Sequence, residues 1–349
     1  MKQKKIIISA GGTGGHITPA IALAKEFLKQ NCQILYIGNK NSLEESIVTS
    51  ENIKFKAIDV QKLYRKLTFK HLLFPSKFIR SVIKVLHIFK EFKPDAFIGI
   101  GGFVSGPAAL AASLRKVPIF LQEQNSIPGL TNRLIGKKAE NIFLGINNNE
   151  FPAEKVIFSG NPVLLQDHKE KIAYQEYGLN PHNKTILILG GSQGSYFINK
   201  SFEPIVDELL SNNLNIIWQL GNYSYQEFSE KLHGKQSVYA FAYTKEIEKI
   251  YNSSNLVIAR AGALTLAEIE TKRIPAILIP LPTAAKNHQV HNALALKKQA
   301  IILPQNQVTS QSLLENIIKI LQKPPQNIPY CSRHLNAANM IVKNVLRRI

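Results

Sequence analysis

Apolar residues along this chain gather into short, nearly continuous runs separated by amphipathic stretches. In the first half the runs are "KKIIISA", "CQILYIG", "FKAIDV", "PDAFIGIGG", "VPIFLQE" and "NIFLGI", and each reads as a strand. Between them, "TPAIALAKEFLKQ" reads as a helix with Pro19 in its first turn. The stretch "SKFIRSVIKVLHIFKEF" sets Ile79, Val82, Ile83, Leu86 and Phe89 at helical spacing, which predicts a buried helix face. Apolar strands without polar alternation, set between helices, predict a parallel sheet covered on both sides.

The second half repeats the opening device. "KTILILGGSQGS" is again lysine, apolar strand, glycine-rich turn and helix, and "LNIIWQLG", "QSVYAFA", "NLVIARAGALTLAE", "IPAILIPLP", "HQVHNALALKKQ" and "AIILPQ" follow it. The two openings lie roughly 180 residues apart, which predicts an α/β protein of two Rossmann-like domains rather than one large sheet. A length of 349 residues also exceeds one typical core. Gly and Pro in "FSGNPV" suggest the hinge, giving domains of residues 1–159 and 160–332. The last stretch, "NAANMIVKNVLRRI", reads as a helix, and residues from about 333 to 349 are expected to return to the first domain. Two such domains are expected to face each other through the C-terminal ends of their strands, with the site in the cleft.

Charge narrows the partners. Lys and Arg number 43 against 24 Asp and Glu, a formal net charge of +19. That excess suits an anionic partner, or reflects only a lysine-rich composition. No basic–aromatic module argues for nucleic acid. Cys32 and Cys331 make neither a metal-ligand spacing nor a disulfide framework, so a reducing cytoplasm is expected. No apolar stretch reaches the ~18–20 residues of a spanning helix, and the N-terminal run reads as a strand rather than a signal peptide. The segment "LYRKLTFKHLLFPSKFIR" interleaves Arg65, Lys66, Lys70, Lys77 and Arg80 with Leu72, Leu73, Phe74 and Phe78. It suits an anionic bilayer surface, and reads equally well as a buried loop with a solvated basic face.

The glycine loops carry the chemistry. "GGTGGHITPA" does not fit a dinucleotide fingerprint: a glycine or alanine is needed at position 17, which is Ile17, and Asn39 stands where an acidic ribose ligand belongs. Backbone N–H groups of Gly11, Gly12, Gly14 and Gly15, at a helix start, suit an anion. Gly101, Gly102, Ser105 and Gly106 in "GIGGFVSGP" form a second such turn in the same domain, so a diphosphate is favoured over two merely structural turns.

In chain order, "GGTGGHITPA", "GIGGFVSGPAALAA", "QEQNSIPGLTNR", "SGNPV", "LGGSQGS", "ARAGALTLAEI" and "NHQVHNA" resemble the bacterial MurG glycosyltransferases along essentially the whole chain. The resemblance implies a GT-B fold. It implies transfer of N-acetylglucosamine from UDP-GlcNAc to the C4 hydroxyl of the muramyl unit of lipid I, at the cytoplasmic face of the cell membrane. The glycine loops of the first domain would then hold the acceptor diphosphate. Candidate partners are UDP-GlcNAc, lipid I, the anionic membrane surface and other cell-wall synthesis proteins. No cofactor is implied, and the absence of any D-x-D argues against a metal-held diphosphate.

Within that frame His16 is the candidate general base for an inverting displacement, or a phosphate-binding or capping imidazole. Glu123 is the alternative base. The resemblance makes Asn125 a donor-sugar contact and counts Thr13, Gly14 and Gly15 with the donor-binding positions. In the second domain, Ser192 lies at a helix start, and Gly262, Ala263, Leu264 and Thr265 open the helix of "RAGALTLAE", whose N-terminus suits the UDP diphosphate. Glu268, one turn on, can accept from both ribose hydroxyls. His288 and Gln289 match family contacts to GlcNAc. Three departures stand out: Gln122 where the family usually has His, Leu164 where it commonly has Arg, so that a cationic donor contact is missing or Arg260 or a nearby lysine substitutes, and Thr244 in place of an apolar uracil-side residue. They leave two alternatives open, a diacylglycerol-type UDP-sugar transferase and a non-catalytic UDP-sugar-binding membrane scaffold.

Overall fold

A computed structural model describes residues 3–61, 74–326 and 328–349. The chain divides into two units, Met1–Leu164 with Arg333–Ile349, and Leu165–Ser332. The first is built on seven parallel strands: β1 (Lys5–Ala10), β2 (Gln33–Asn39), β3 (Phe55–Ile58), β4 (Ala96–Gly101), β5 (Ile119–Glu123), β6 (Asn141–Leu144) and β7 (Val156–Phe158). Their order is β3-β2-β1-β4-β5-β6-β7. Helices α1 (Gly14–Lys29), α2 (Leu43–Ser50), α3 (Phe74–Phe92), α4 (Ser105–Leu114) and α5 (Leu130–Ile135) connect them, and the C-terminal helix α13 (Arg333–Arg348) packs on α1. Alternation within "KIIISA" explains its unbroken apolar run. Ile6 and Ile8 join Phe27, Ile341 and Val345 on one face of the sheet, while Ile7 joins Val85, Phe89, Phe97 and Ala108 on the other.

The second unit is a six-stranded parallel sheet of β8 (Lys184–Leu189), β9 (Leu214–Gln219), β10 (Val238–Phe241), β11 (Leu256–Ala259), β12 (Ala276–Leu278) and β13 (Ala300–Ile302). Its order, β10-β9-β8-β11-β12-β13, matches that of the first sheet without the seventh strand. Its helices are α6 (Tyr196–Phe202), α7 (Val206–Ser211), α8 (Tyr225–Leu232), α9 (Ile247–Asn252), α10 (Ala263–Lys272), α11 (His288–Leu294) and α12 (Ser310–Gln322). In each sheet the strand order reverses beside the first strand, between β1 and β4 and between β8 and β11. Ligands of open parallel sheets bind outside the strand C-termini at such a reversal. All four glycine-rich motifs of the sequence sit there.

Three expectations shift. The unit boundary falls after Leu164 rather than near 159, because Ser159 and Asn161 are fully buried in the first unit. Asn161 donates its backbone N–H to Nδ1 of His334 at 2.8 Å and its amide to Gln124 O at 3.1 Å. Helix α1 begins at Gly14, inside the glycine loop, so Pro19 falls in the second turn and His16 in the first. On α3 the buried residues are Ser81, Val82, Val85, Ile88 and Phe89, while Ile79 and Ile83 are 57% and 48% exposed. The helical spacing is present, but the core takes a stripe rotated from the expected one.

Candidate functional site

In the first unit the loops after β1 and β4 meet backbone to backbone. Gly102 has φ +80°, and a Cβ there would lie 2.2 Å from Gly11 O. A Cβ at Gly101, φ +106°, would lie 3.2 Å from the His16 ring. Only glycine supplies this conformation and this approach together. Gly12 differs from the helix-start position expected of it. It is exposed at φ +92°, two residues ahead of Gly14, the first residue of α1, and a Cβ on it would meet the Phe103 ring at 3.1 Å. Gly12 therefore turns the chain between β1 and α1, while Gly14 and Gly15 supply the first turn of the helix.

The carbonyl of Gly102 accepts from the hydroxyls of Ser105 and Thr131, each at 3.0 Å. Ser105 is buried, so its hydroxyl shapes the loop instead of reaching a phosphate as expected. What remains to meet an anion is backbone: Gly11, Gly12, Gly14 and Gly15 at and before the start of α1, and Gly106 in the first turn of α4.

His16 is half-buried, and its Nδ1 lies 3.0 Å from Thr13 Oγ1. If Nδ1 carries the proton and donates to Thr13, Nε2 is the basic nitrogen. The resemblance places Thr13 at the donor; here it is the N-cap of α1 and the partner of His16.

Glu123 is 2% exposed. One carboxylate oxygen accepts from the backbone and side-chain amides of Asn125, at 3.0 and 3.2 Å. The other accepts from Gly129 N at 3.0 Å and Asn132 Nδ2 at 2.9 Å. Burial pushes its carboxyl above the usual range and these hydrogen bonds pull it back. Glu123 therefore anchors the 124–129 loop, and with both oxygens committed it drops out as a base. Gln122 is also fully buried, donating to Asn161 Oδ1 at 3.0 Å. The amide braces the neighbouring segment from inside the first unit.

In the second unit the loop after β8 is held against the loop after β9: a Cβ at Gly194, φ +78°, would lie 2.4 Å from Leu220 O. Ser192 is exposed at the tip. Gly262 precedes α10 in extended conformation with no side-chain cap, Ala263 and Leu264 are buried, and Thr265 is half-buried. The α10 N-terminus thus presents backbone at the β8/β11 reversal, where a diphosphate fits.

Arg260 is 8% exposed and bonds Ser195 Oγ at 3.2 Å, Ile279 O at 3.1 Å and Pro280 O at 3.4 Å. Burial lowers its pKa to about 10, so it stays charged at neutral pH. It ties three loops together, a brace rather than the free cation expected in place of Leu164. Leu164 itself is exposed. Gln289 Oε1 accepts from Leu281 N at 2.9 Å, His288 Nδ1 bonds Ala285 O at 2.9 Å, and Thr244 Oγ1 accepts from Glu246 N at 3.0 Å. Lys286 and Asn287 take left-handed φ just before α11, a strained turn of the kind found at binding sites. Glu268 is half-buried, and Tyr251, missed in the sequence, donates to its Oε2 at 2.9 Å. A tyrosine among apolar helix positions reads as core, so no sequence signal marked it.

Two such Rossmann-like units define what the comparisons then specify. Residues 6–144 match the glycosyltransferase family 28 N-terminal domain, and residues 185–345 match its C-terminal domain. A UDP-N-acetylglucosamine–N-acetylmuramyl-(pentapeptide) pyrophosphoryl-undecaprenol N-acetylglucosamine transferase of Flavobacterium psychrophilum is 40% identical, covering 89% of this chain and 87% of that protein. This chain belongs to the MurG family. The Bacillus subtilis transferase of the same name is 36% identical over 91% of this chain and 90% of its own. The crystal structure of Acinetobacter baumannii MurG superposes with a TM-score of 0.77 at 28% identity, covering 99% of both chains. The fold is GT-B, and the MurG relatives name a muramyl acceptor rather than a diacylglycerol.

Proposed function

We propose that this enzyme joins N-acetylglucosamine from UDP-GlcNAc to the C4 hydroxyl of the muramyl unit of lipid I, giving lipid II and UDP. The observation that carries this reading is that a MurG-family chain carries glycine loops with His16 in its first unit and, in its second, the uncapped N-terminus of the helix that bears Glu268. Nε2 of His16 takes the C4 proton as that oxygen bonds to C1 of the sugar from the face opposite UDP. The C1–O bond to the β-phosphate breaks, the anomeric centre inverts, and the α10 N-terminus receives the growing negative charge. In this reading the backbone of Gly11, Gly12, Gly14 and Gly15, with that of Gly106, holds the acceptor diphosphate, and Asn125, His288 and Gln289 are the sugar contacts that the resemblance implies.

Glu268→Gln should mainly raise KM for UDP-GlcNAc, since the ribose is held equally in ground and transition states. An amide offers one good acceptor where the carboxylate offers two, a loss of about 1.5–3 kcal/mol for a charged hydrogen bond. Burial raises the Glu268 pKa to about 7. Below that pH the carboxyl is neutral, so KM in the wild type should climb as pH falls through 7. Steady-state kinetics between pH 6 and 9 check both; a flat profile and an unchanged KM would remove Glu268 from the donor site.

Membrane docking belongs to the same reading. Leu72, Leu73, Arg65, Lys66 and Lys70 lie outside the described residues. Among the described ones, a Cβ at Gly106 would lie 3.7 Å from Phe78 of α3 and 3.9 Å from Thr131 of α5. The exposed Ile79 and Ile83 of α3, and Leu130 and Leu134 of α5, thus flank the acceptor loop, with Phe74, Lys77, Arg80, Arg133 and Lys137 on the same two elements or at their ends. No helix among the described residues is long and apolar enough to cross a membrane. Apolar residues beside basic ones suit the surface of an anionic bilayer. Ile79→Ser with Ile83→Ser and Leu134→Ser should weaken binding to anionic vesicles in a flotation assay, and leave activity on a short-chain soluble acceptor intact. High salt should weaken it further, the screening length being about 8–10 Å at physiological ionic strength. Unchanged flotation of the folded triple variant would refute the patch.

A further inference from the structure

Glu268 is half-buried, and among the described residues its carboxylate has a hydroxyl for a neighbour and no ion pair. It projects from the second turn of α10, against which α9 and α11 pack. The ionisable groups on these three elements are otherwise committed or elsewhere. Glu248 and Lys272 pair at 2.8 Å, and Lys249 pairs with Glu170 at 2.8 Å and Glu246 at 3.5 Å. Glu270 on α10 is engaged as well, His288 on α11 bonds Ala285 O at 2.9 Å, and His291 is exposed. Tyr251 on α9, 1% exposed, donates to Oε2 at 2.9 Å.

We propose that Tyr251 is a positioning residue of the donor site: its hydroxyl claims Oε2 of Glu268 and so leaves Oε1 for the ribose diol of a uridine diphosphate-sugar. The proposal rests on the reading that Glu268 meets the ribose. A buried phenol needs a partner, and a half-buried carboxylate with no ion pair gains from a donor, so each group satisfies the other's requirement. The bond also restricts the rotation of the Glu268 side chain, which otherwise would have to be ordered when the donor arrives. It favours the ionised form as well. Burial raises the Glu268 pKa, and the Tyr251 bond is what lowers it again.

Tyr251→Phe keeps the ring and removes only the hydroxyl. KM for UDP-GlcNAc should rise roughly tenfold, in line with loss of one hydrogen bond to a charged group, while kcat with a soluble lipid I analogue stays near that of the wild type. The pH at which KM begins to climb should move upward, because the bond that favours ionisation is gone. UDP-GlcNAc itself brings no ionisation near pH 7, so the limb belongs to the protein. A purely structural tyrosine would lower the folded fraction and kcat without moving that limb. Should the variant prove less stable, 2′-deoxy- and 3′-deoxy-ribose donors provide an internal comparison: the penalty for a missing hydroxyl should be smaller in Tyr251→Phe than in the wild type. If Glu268→Gln raises KM but Tyr251→Phe changes neither KM, the limb nor the deoxy penalty, the inference is overturned. If Glu268→Gln itself leaves KM unchanged, the donor-site reading fails and the inference with it.

Discussion

His16→Ala should lower kcat by about 10²–10⁴, the usual contribution of a general base, and leave KM for UDP-GlcNAc nearly unchanged. As the proposed base, the imidazole acts on the acceptor hydroxyl and only in the transition state, so its loss falls on turnover and not on donor binding. If the imidazole is the base, the acidic limb of kcat should vanish in the Ala variant. This limb is separable from that of Glu268, which appears in KM. Thr13→Val tests the geometry behind the assignment. Without the Oγ1 that lies 3.0 Å from Nδ1, the ring loses the partner that selects its tautomer, and kcat should fall by less than in His16→Ala. Near-normal turnover of His16→Ala, with the limb intact, would leave His16 as an anion ligand only.

Gly102→Ala should be the most damaging single methyl in the first unit. At φ +80° an L-residue costs roughly 1–2 kcal/mol. The new Cβ would also stand 2.2 Å from Gly11 O, a backbone atom that cannot rotate away. With typical overpacking costs added, the loss is about 2–5 kcal/mol, a fall in Tm of about 4–20 °C for a unit of this size. Activity should fall further than folded fraction, since the two loops proposed to hold the acceptor diphosphate are forced apart. Gly129→Ala is the control: no atom lies within 4 Å of its Cβ, and its φ is −64°. A Gly102→Ala protein with wild-type melting and turnover would show that the contact between the loops is dispensable.

Much of the fold was legible because its strands are buried on both faces. "KIIISA", "FIGIG" and "TILIL" carry no polar alternation, and only a parallel sheet between helices accommodates that. β7 escaped notice, being three residues of edge strand that are half-buried or exposed. The orientation of α3 was misread for a different reason. Its apolar positions exceed what one face needs, and sequence spacing alone does not say which of two overlapping stripes the core takes. The glycine loops were legible as tight turns at strand ends because positive φ and close backbone approach leave glycine as the one workable residue. Which glycine turns the chain and which opens the helix was not legible: Gly12 and Gly14 look alike in "GGTGG" and differ only in the folded backbone. Polar residues within the site were harder. Arg260 and Glu123 look like site groups in sequence, and each is instead engaged by neighbouring backbone, amide or hydroxyl groups, which depends on tertiary proximity. Asn161 and Tyr251 went unmarked for the same reason: their partners, Gln122 and Glu268, are 39 and 17 residues away.

Release of UDP from UDP-GlcNAc, followed with a soluble analogue of lipid I, tests the account most directly. Turnover should require the muramyl acceptor, should yield its β-linked N-acetylglucosaminyl derivative, and should not occur when diacylglycerol is supplied instead. UDP-GlcNAc binding without any transfer to the lipid I analogue, or turnover with diacylglycerol alone, would contradict it.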